Sequence, residues 1–375
     1  MKIKKIVLKG VKSFQDSHSI FFDEESSVFT FSGINGAGKS TILKSAWLVQ
    51  KAHFQKILGS EDYSESVKED IFRLLNSESS YIELLIAHES QEASIRLKRN
   101  ENCYYGGELT YENEGLVKDN WNLEDPRNIF LYIDSSNEFS EETVTYDDIN
   151  ISSNSKQKVI IEAIMKPERL FSGIYRQLVT DWLHDRVIPN KPARLVYYHV
   201  AGKLFNSLIP LVNLSNYSGN VKPGEFILLG KARKGRKPIS YDVREFSSGE
   251  KSLLSTLILL CLPKSVGAII IDEPENHFHE SLLLEFISLL HTLTYKGGVL
   301  SWTLANNSNG KEINEDWLEK EFSSHDLHQI IISTHSKTLI YKTFSIGKNY
   351  IVDGRIKPLD VGSRMIKSPI GVILC

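Results

Sequence analysis

Gly33-Ile34-Asn35-Gly36-Ala37-Gly38-Lys39-Ser40 fits the pattern GxxxxGK[ST] and stands between an apolar run, Val28 to Phe31, and a helically spaced run from Thr41 to Leu58 that Gly59 stops. Strand, glycine loop and helix in that order are what a phosphate cradle needs. The glycines let backbone N–H groups converge on phosphate oxygens, the helix N-terminus adds its dipole, Lys39 reaches the outer phosphates and Ser40 can ligate Mg²⁺. The plain alternative is an ordinary glycine turn, and the flanking strand and helix argue against it.

Three further segments bear on the same chemistry. Ala268-Ile269-Ile270-Ile271-Asp272-Glu273 has the length of a buried parallel strand and ends in two carboxylates. At the C-terminal edge of a parallel strand beside the glycine loop, Asp272 can position a Mg²⁺ shell and Glu273 can polarise an attacking water. Taken alone, an acidic pair before Pro274 is a common turn. Phe246-Ser247-Ser248-Gly249-Glu250-Lys251 precedes an apolar helix, Leu253 to Leu262, so small residues and backbone donors lie at a helix N-terminus. That is a second anion site, a Ser N-cap with a capping Glu, or both. Ile330-Ile331-Ile332-Ser333-Thr334-His335-Ser336 is another buried strand, ending in a histidine that on its own would most often be structural.

In this order the four segments resemble the loop, signature, acidic strand and switch histidine of ABC-type P-loop ATPases. The glutamate in the signature, and Asp272-Glu273-Pro274-Glu275-Asn276-His277-Phe278-His279 beside a DEPExxLH pattern, are similar to the RecF/SMC/OLD-like bacterial group. The resemblance covers roughly residues 1 to 58 and 240 to 353. It implies an α/β fold with an ABC-type P-loop NTPase core, an antiparallel β subdomain and an inserted helical lobe, the core in 1–134 and 245–375 and the lobe in 135–244. It also implies ATP and Mg²⁺ as ligands. Asn35, Gly36, Ala37, Gly38, Lys39, Ser40 and Thr41 would hold the nucleotide, Ser40 and Asp272 the metal, and Glu273 and His335 would serve catalysis. Ser247, Gly249 and Glu250 would cap the γ-phosphate held by another copy, giving a homodimer around two ATP molecules. Ser248 stands where the family has glycine.

Bulk properties fit. The 375 residues are 41% hydrophobic and 24% charged, ordinary for a soluble chain with room for a sizeable core. No apolar run has the length of a membrane span, and MKIKKIVLKGVKSF lacks the apolar stretch of a secretory signal, so a cytoplasmic protein without membrane contact is expected. Cys103, Cys261 and Cys375 lie far apart and suggest neither a disulfide framework nor a zinc site. His277 and His279, two apart, diverge on a helix and make a poor metal pair.

Other features separate this chain from the family's better-known members. No glutamine follows Ile133 to watch the metal and water; Asn137 or Glu138 could stand in. A polar stretch, Thr294 to His328, enlarges the connection before His335 and could dock a partner. No sustained heptads suggest a long coiled coil, and no segment reads as a nuclease module. Lys231-Ala232-Arg233-Lys234-Gly235-Arg236-Lys237-Pro238 is a basic turn, a solvated hairpin tip or a nucleic-acid contact, within a net charge of −3 that does not itself attract polyanions. Four classes of function compete: the regulatory ATPase of an antiphage defence system, similar to Septu, PARIS or retron-associated ATPases, acting on a separate nuclease or toxin effector; a RecF/SMC-like DNA repair ATPase, with DNA or RNA as partner; a transporter motor; and an ATP-gated scaffold.

Overall fold

The computed structural model describes residues 1–135, 155–187, 196–210, 212–222, 225–234, 237–262, 265–295, 297–306, 314–322, 327–359, 367–368 and 371–372. In chain order the strands are β1 (Lys2–Lys9), β2 (His18–Phe21), β3 (Val28–Ser32), β4 (Tyr81–His88), β5 (Gln91–Arg99), β6 (Gly107–Glu112), β7 (Ile129–Ile133), β8 (Val212–Lys222), β9 (Glu225–Lys234), β10 (Lys237–Asp242), β11 (Val266–Asp272), β12 (Gln329–Thr334), β13 (Lys348–Val352), β14 (Ile356–Pro358), β15 (Lys367–Ser368) and β16 (Gly371–Val372). The helices are α1 (Lys39–Leu58), α2 (Ser64–Leu74), α3 (Glu114–Asn120), α4 (Ser155–Met165), α5 (Leu170–Val187), α6 (Val196–Leu208), α7 (Ser248–Leu260), α8 (Glu280–Leu293), α9 (Gly298–Asn306), α10 (Glu315–Phe322) and α11 (Lys337–Phe344). The fold is thus mixed α/β, with sheets and helical insertions.

The chain divides into two compact units, one of residues 1–135, 267–294 and 328–375, the other of 136–266 and 295–327. In the first, a six-stranded sheet has the order β14-β13-β3-β12-β11-β7. Strands β13, β3, β12 and β11 run parallel, with Asp272 opposite Ser333 and Ser333 opposite Phe31, so their C-terminal ends finish level. Every residue of β3, β7, β11 and β12 is buried, as expected of strands covered on both faces. A second sheet, β2-β1-β4-β5-β6, is antiparallel throughout. In its β5 the buried Ala93, Ile95 and Leu97 alternate with partly exposed Ser94 and Arg96, the pattern of a strand covered more on one face than the other. Helix α1 packs against strands of both sheets, which is why most of its circumference is buried.

In the second unit, α4, α5, α6 and α7 pack together with the antiparallel sheet β10-β9-β8. Phe205 on α6 stacks on Phe246, just before α7, with ring centroids 5.9 Å apart. The basic turn is the β9–β10 hairpin, pairing Lys234 with Lys237; Gly235 and Arg236 lie outside the described residues. The polar stretch from Thr294 to His328 carries two helices, α9 and α10.

Strand β6 begins only at Gly107, because the Cys103 N–H bonds back to Asn100 and Gly106, at φ +77°, turns the chain. No described helix is long and apolar enough to cross a membrane.

Candidate phosphate and metal site

The glycine loop joins β3, inside the parallel sheet, to α1. Gly33 sits at φ +154°, where a Cβ would lie 2.2 Å from the Val352 carbonyl, and Gly38 at φ +104°, where a Cβ would strike the Phe14 ring at 2.8 Å. Any side chain at either position would force the loop off its neighbours. Behind Gly38, α1 begins at Lys39 with no side-chain cap, so its first N–H groups face the loop's cavity unclaimed by one. That cavity, about 480 Å³, is lined by Asn35, Gly36, Gly38, Lys39, Ser40, Thr41 and Glu273, and also by Lys12 and Ser13 from the segment after β1.

Lys39 is 3% exposed; its Nζ donates to the carbonyls of Gly33 (3.0 Å) and Ile34 (3.2 Å) and lies 4.0 Å from Glu273 Oε1. Asn35 and Gly36 are exposed, whereas Ala37 and Thr41 are buried. At the level ends of the strands, Ser40 Oγ donates to Asp272 Oδ1 at 2.9 Å. The buried Asp272 also accepts from Ser333 Oγ on the same oxygen and from Tyr132 OH on Oδ2 at 3.2 Å. Burial and the Asp272 charge both push the Tyr132 phenol well up, so it stays a donor. A hydroxyl and a carboxylate oxygen in contact suit Mg²⁺, a hard cation that keeps most of its shell for water and phosphate oxygens. No cluster of three or more His, Cys, Asp or Glu that could hold a metal exists among the described residues.

Glu273 turns the chain at the end of β11 with φ +46°, an unusual conformation for a residue with a side chain, held by its N–H bonds to the Ser333 carbonyl (3.1 Å) and hydroxyl (3.0 Å). His335, half exposed, follows β12 and has Nδ1 3.0 Å from Glu275 Oε1. Ser247 is the N-cap of α7: its Oγ accepts from the Glu250 N–H while its own N–H donates to Glu250 Oε2 at 2.8 Å, a complete capping box. Gly249 is buried behind it. The helix-cap alternative for this segment is therefore real, whatever else the segment does.

Several residues that line or support the site had no role assigned from sequence, Tyr132 and Ser333 among them. Lys12 lies in the cavity wall at φ +47°, its ammonium pKa lowered by burial and by Lys44 and Arg73 nearby. Glu275 accepts from Thr334 and His335, a meeting of segments sixty residues apart that spacing does not reveal. After β7, Asp134 pairs with Lys44 at 3.3 Å, and its carbonyl meets His277 Nε2 at 2.9 Å. Asn137 and Glu138 lie outside the described residues. His279 contacts Ser281 Oγ at 3.1 Å at the start of α8.

Over residues 29–340 the chain matches the family described as "AAA domain, putative AbiEii toxin, Type IV TA system". No curated protein matches it. Among solved structures it is similar to an Smc head bound to the C-winged helix domain of ScpA, at 14% identity and TM-score 0.52, covering 96% of this chain and 98% of that one. It is also similar to a Pyrococcus furiosus Smc head domain with an extended coiled coil, bound to the C-terminal domain of ScpA, at 14% identity and TM-score 0.51, covering 95% of each. At such identities the likeness is one of fold.

Proposed function

The chain belongs to this AAA-domain family, and on that premise we propose that it is a P-loop ATPase of the RecF/SMC/OLD-like group that binds ATP with Mg²⁺, dimerises around two ATP molecules and hydrolyses ATP to ADP and phosphate. The observation that carries this reading is the Ser40–Asp272 contact beside a cavity bordered by both Lys39 and Glu273. Lys39 exchanges the two loop carbonyls it now serves for phosphate oxygens, and the open N–H groups of the loop and of α1 bind the rest of the phosphate chain. Lys12 adds a second cation from the cavity wall. Ser40 and Asp272 hold Mg²⁺, with Tyr132 and Ser333 fixing the carboxylate. When bound, the metal neutralises charge on the phosphates. Glu273 orients water and accepts its proton, and His335 contacts the γ-phosphate. Ser247, Gly249 and Glu250 of a second copy close the site.

In the cell the cycle regulates a separate nuclease or toxin effector in antiphage defence. The family's description, which names a toxin of a type IV toxin–antitoxin system, supports a place in a conflict system, and Smc heads bound to ScpA support a head of this fold serving a protein partner. A DNA-repair role is the second reading, favoured by the hairpin that brings Lys231, Arg233, Lys234 and Lys237 onto paired strands. The test is Glu273→Gln with ATP and Mg²⁺, followed by native mass spectrometry of the protein purified from its host. A trapped dimer with turnover reduced about 10²–10⁴-fold is expected. A nuclease or toxin in fixed ratio supports defence and bound DNA supports repair, whereas a variant that stays monomeric with ATP overturns the dimer mechanism.

A further inference from the structure

The histidine after β12 is not held by its backbone alone. Glu275 Oε1 accepts from Thr334 Oγ1 and from the His335 backbone N–H, each at 2.8 Å, and His335 Nδ1 lies 3.0 Å from the same oxygen. The Glu275 side chain is 15% exposed, and its other oxygen, Oε2, is buried with no hydrogen-bond partner among the described residues. With Oε2 buried and no donor to it among the described residues, Oε1 is the oxygen through which this side chain is held. An ionised carboxylate can only accept, so the Nδ1 that faces it carries a proton, and the neutral ring keeps its lone pair on Nε2. His335 Nε2 has no partner among the described residues, on a ring that is half exposed.

We propose that Glu275 is the positioning residue of His335: it fixes the ring's plane and its Nδ1–H tautomer, making Nε2 the atom that meets the γ-phosphate. With protons on both ring nitrogens, Nε2 would donate to a phosphate oxygen while Glu275 Oε1 faces Nδ1 and balances the ring's charge. Backbone and side chain of His335 are tied to one oxygen, so the ring cannot turn without breaking its bond to Glu275. The catalytic consequence rests on the ATPase reading of the site; the tautomer does not.

The experiment is nitrogen NMR of the full chain with ¹⁵N-labelled histidine, the His335 signal identified by its loss in His335→Gln, together with steady-state ATPase kinetics. The neutral ring is expected to carry its proton on Nδ1 in the wild type, and Glu275→Ala to abolish that preference. In the same variant kcat falls about 10–100-fold, the range for removing a carboxylate that orients a working histidine, while KM for ATP stays within about threefold. Glu275→Gln, whose amide oxygen still accepts from Nδ1, keeps the tautomer and recovers most of kcat. Thr334→Val removes a neighbouring bond to the same oxygen and leaves the tautomer unchanged, with kcat within about twofold of wild type. A proton on Nε2 in the wild type, a tautomer indifferent to Glu275→Ala, or an equal kcat loss in Thr334→Val would each overturn the proposal. A chain without ATPase activity but with the expected tautomer would sink the ATPase reading and keep the pairing. Should Glu275→Ala fail to fold, Glu275→Gln and Thr334→Val carry the comparison.

Discussion

At the N-terminal end of α1, Lys39 and Ser40 border a cavity, and the lysine's partners are two loop carbonyls that a phosphate can replace. About three turns further along the same helix, Lys51 and His53 are just as buried but have partners fixed by packing. Lys51 Nζ donates to Asp70 Oδ2 at 2.6 Å and to Ser66 Oγ at 3.0 Å, and lies 4.8 Å from the centre of the Trp47 ring. His53 is wedged between Tyr111 OH and the Trp121 carbonyl. One helix thus carries two kinds of buried cation or base: one beside open space, which on the proposed function is held in reserve for a ligand, the other joining α1 to its neighbours. The difference teaches that burial alone does not mark a functional lysine; exchangeable partners beside open space do. Lys39→Ala attacks the first kind. Losing its charge-assisted bonds to phosphate should weaken nucleotide binding about a hundredfold or more, roughly 3–4 kcal/mol, read by calorimetric titration with ATP and Mg²⁺. Water can serve the two loop carbonyls, so the melting temperature should move little. A large fall in stability with unchanged affinity would erase the contrast between the two ends.

Asp70→Ala is the complementary attack on the second kind. It strands the Lys51 ammonium, 2% exposed, beside one hydroxyl and an aromatic face, and should cost about 2–3 kcal/mol in chemical denaturation. ATP affinity of the folded protein should stay within a few-fold. The double variant Lys51→Met, Asp70→Leu removes both charges and should recover most of the loss, because a well-packed apolar pair replaces an ion pair at little net cost. If the double variant is as unstable as the single one, the pair contributes something other than mutual neutralisation.

The same contrast governs what could be read before the fold was known. The loop, the apolar runs of β3, β11 and β12 and the helix α1 are legible because each is a local pattern: glycines at fixed spacing, short strands dominated by Ile, Val and Phe, a helical period closed by Gly59. The cap at Ser247 and Glu250 is equally local. Helix α8 is local in the same way, with a period at Leu283, Phe286, Ile287 and Leu290. Strand β8, NLSNYSGNVK after Val212, lacks alternation, so only the Pro210 that stops the preceding helix is legible there. Tyr132, Lys12 and Glu275 were silent for a different reason. Their roles come from contacts across the sheet or between distant loops, and no spacing rule encodes an approach over sixty or more residues.

His53 gives the smallest effect and the sharpest discrimination between the two ends of α1. The Trp121 carbonyl can only accept, so Nε2 carries the proton and Nδ1 accepts from Tyr111, leaving no place for a second proton. Burial accordingly pulls the His53 pKa down from 6.5 to about 4. Between those values the unfolded chain binds a proton that the folded chain refuses, so stability is fully present above about pH 6.5 and is lost as pH falls toward 4. The loss should reach about 2 kcal/mol at pH 5 and about 3 kcal/mol by pH 4. His53→Gln, whose amide can still donate to the Trp121 carbonyl, is less stable at pH 7 but lacks this titration, so its disadvantage should shrink by about 2 kcal/mol when urea melts are repeated at pH 5. Lys39→Ala, at the other end of the helix, should track the wild type across the same range. Parallel curves for wild type and His53→Gln would mean that the imidazole takes up its proton without leaving the core, and that this end of α1 is more open than its hydrogen bonds indicate.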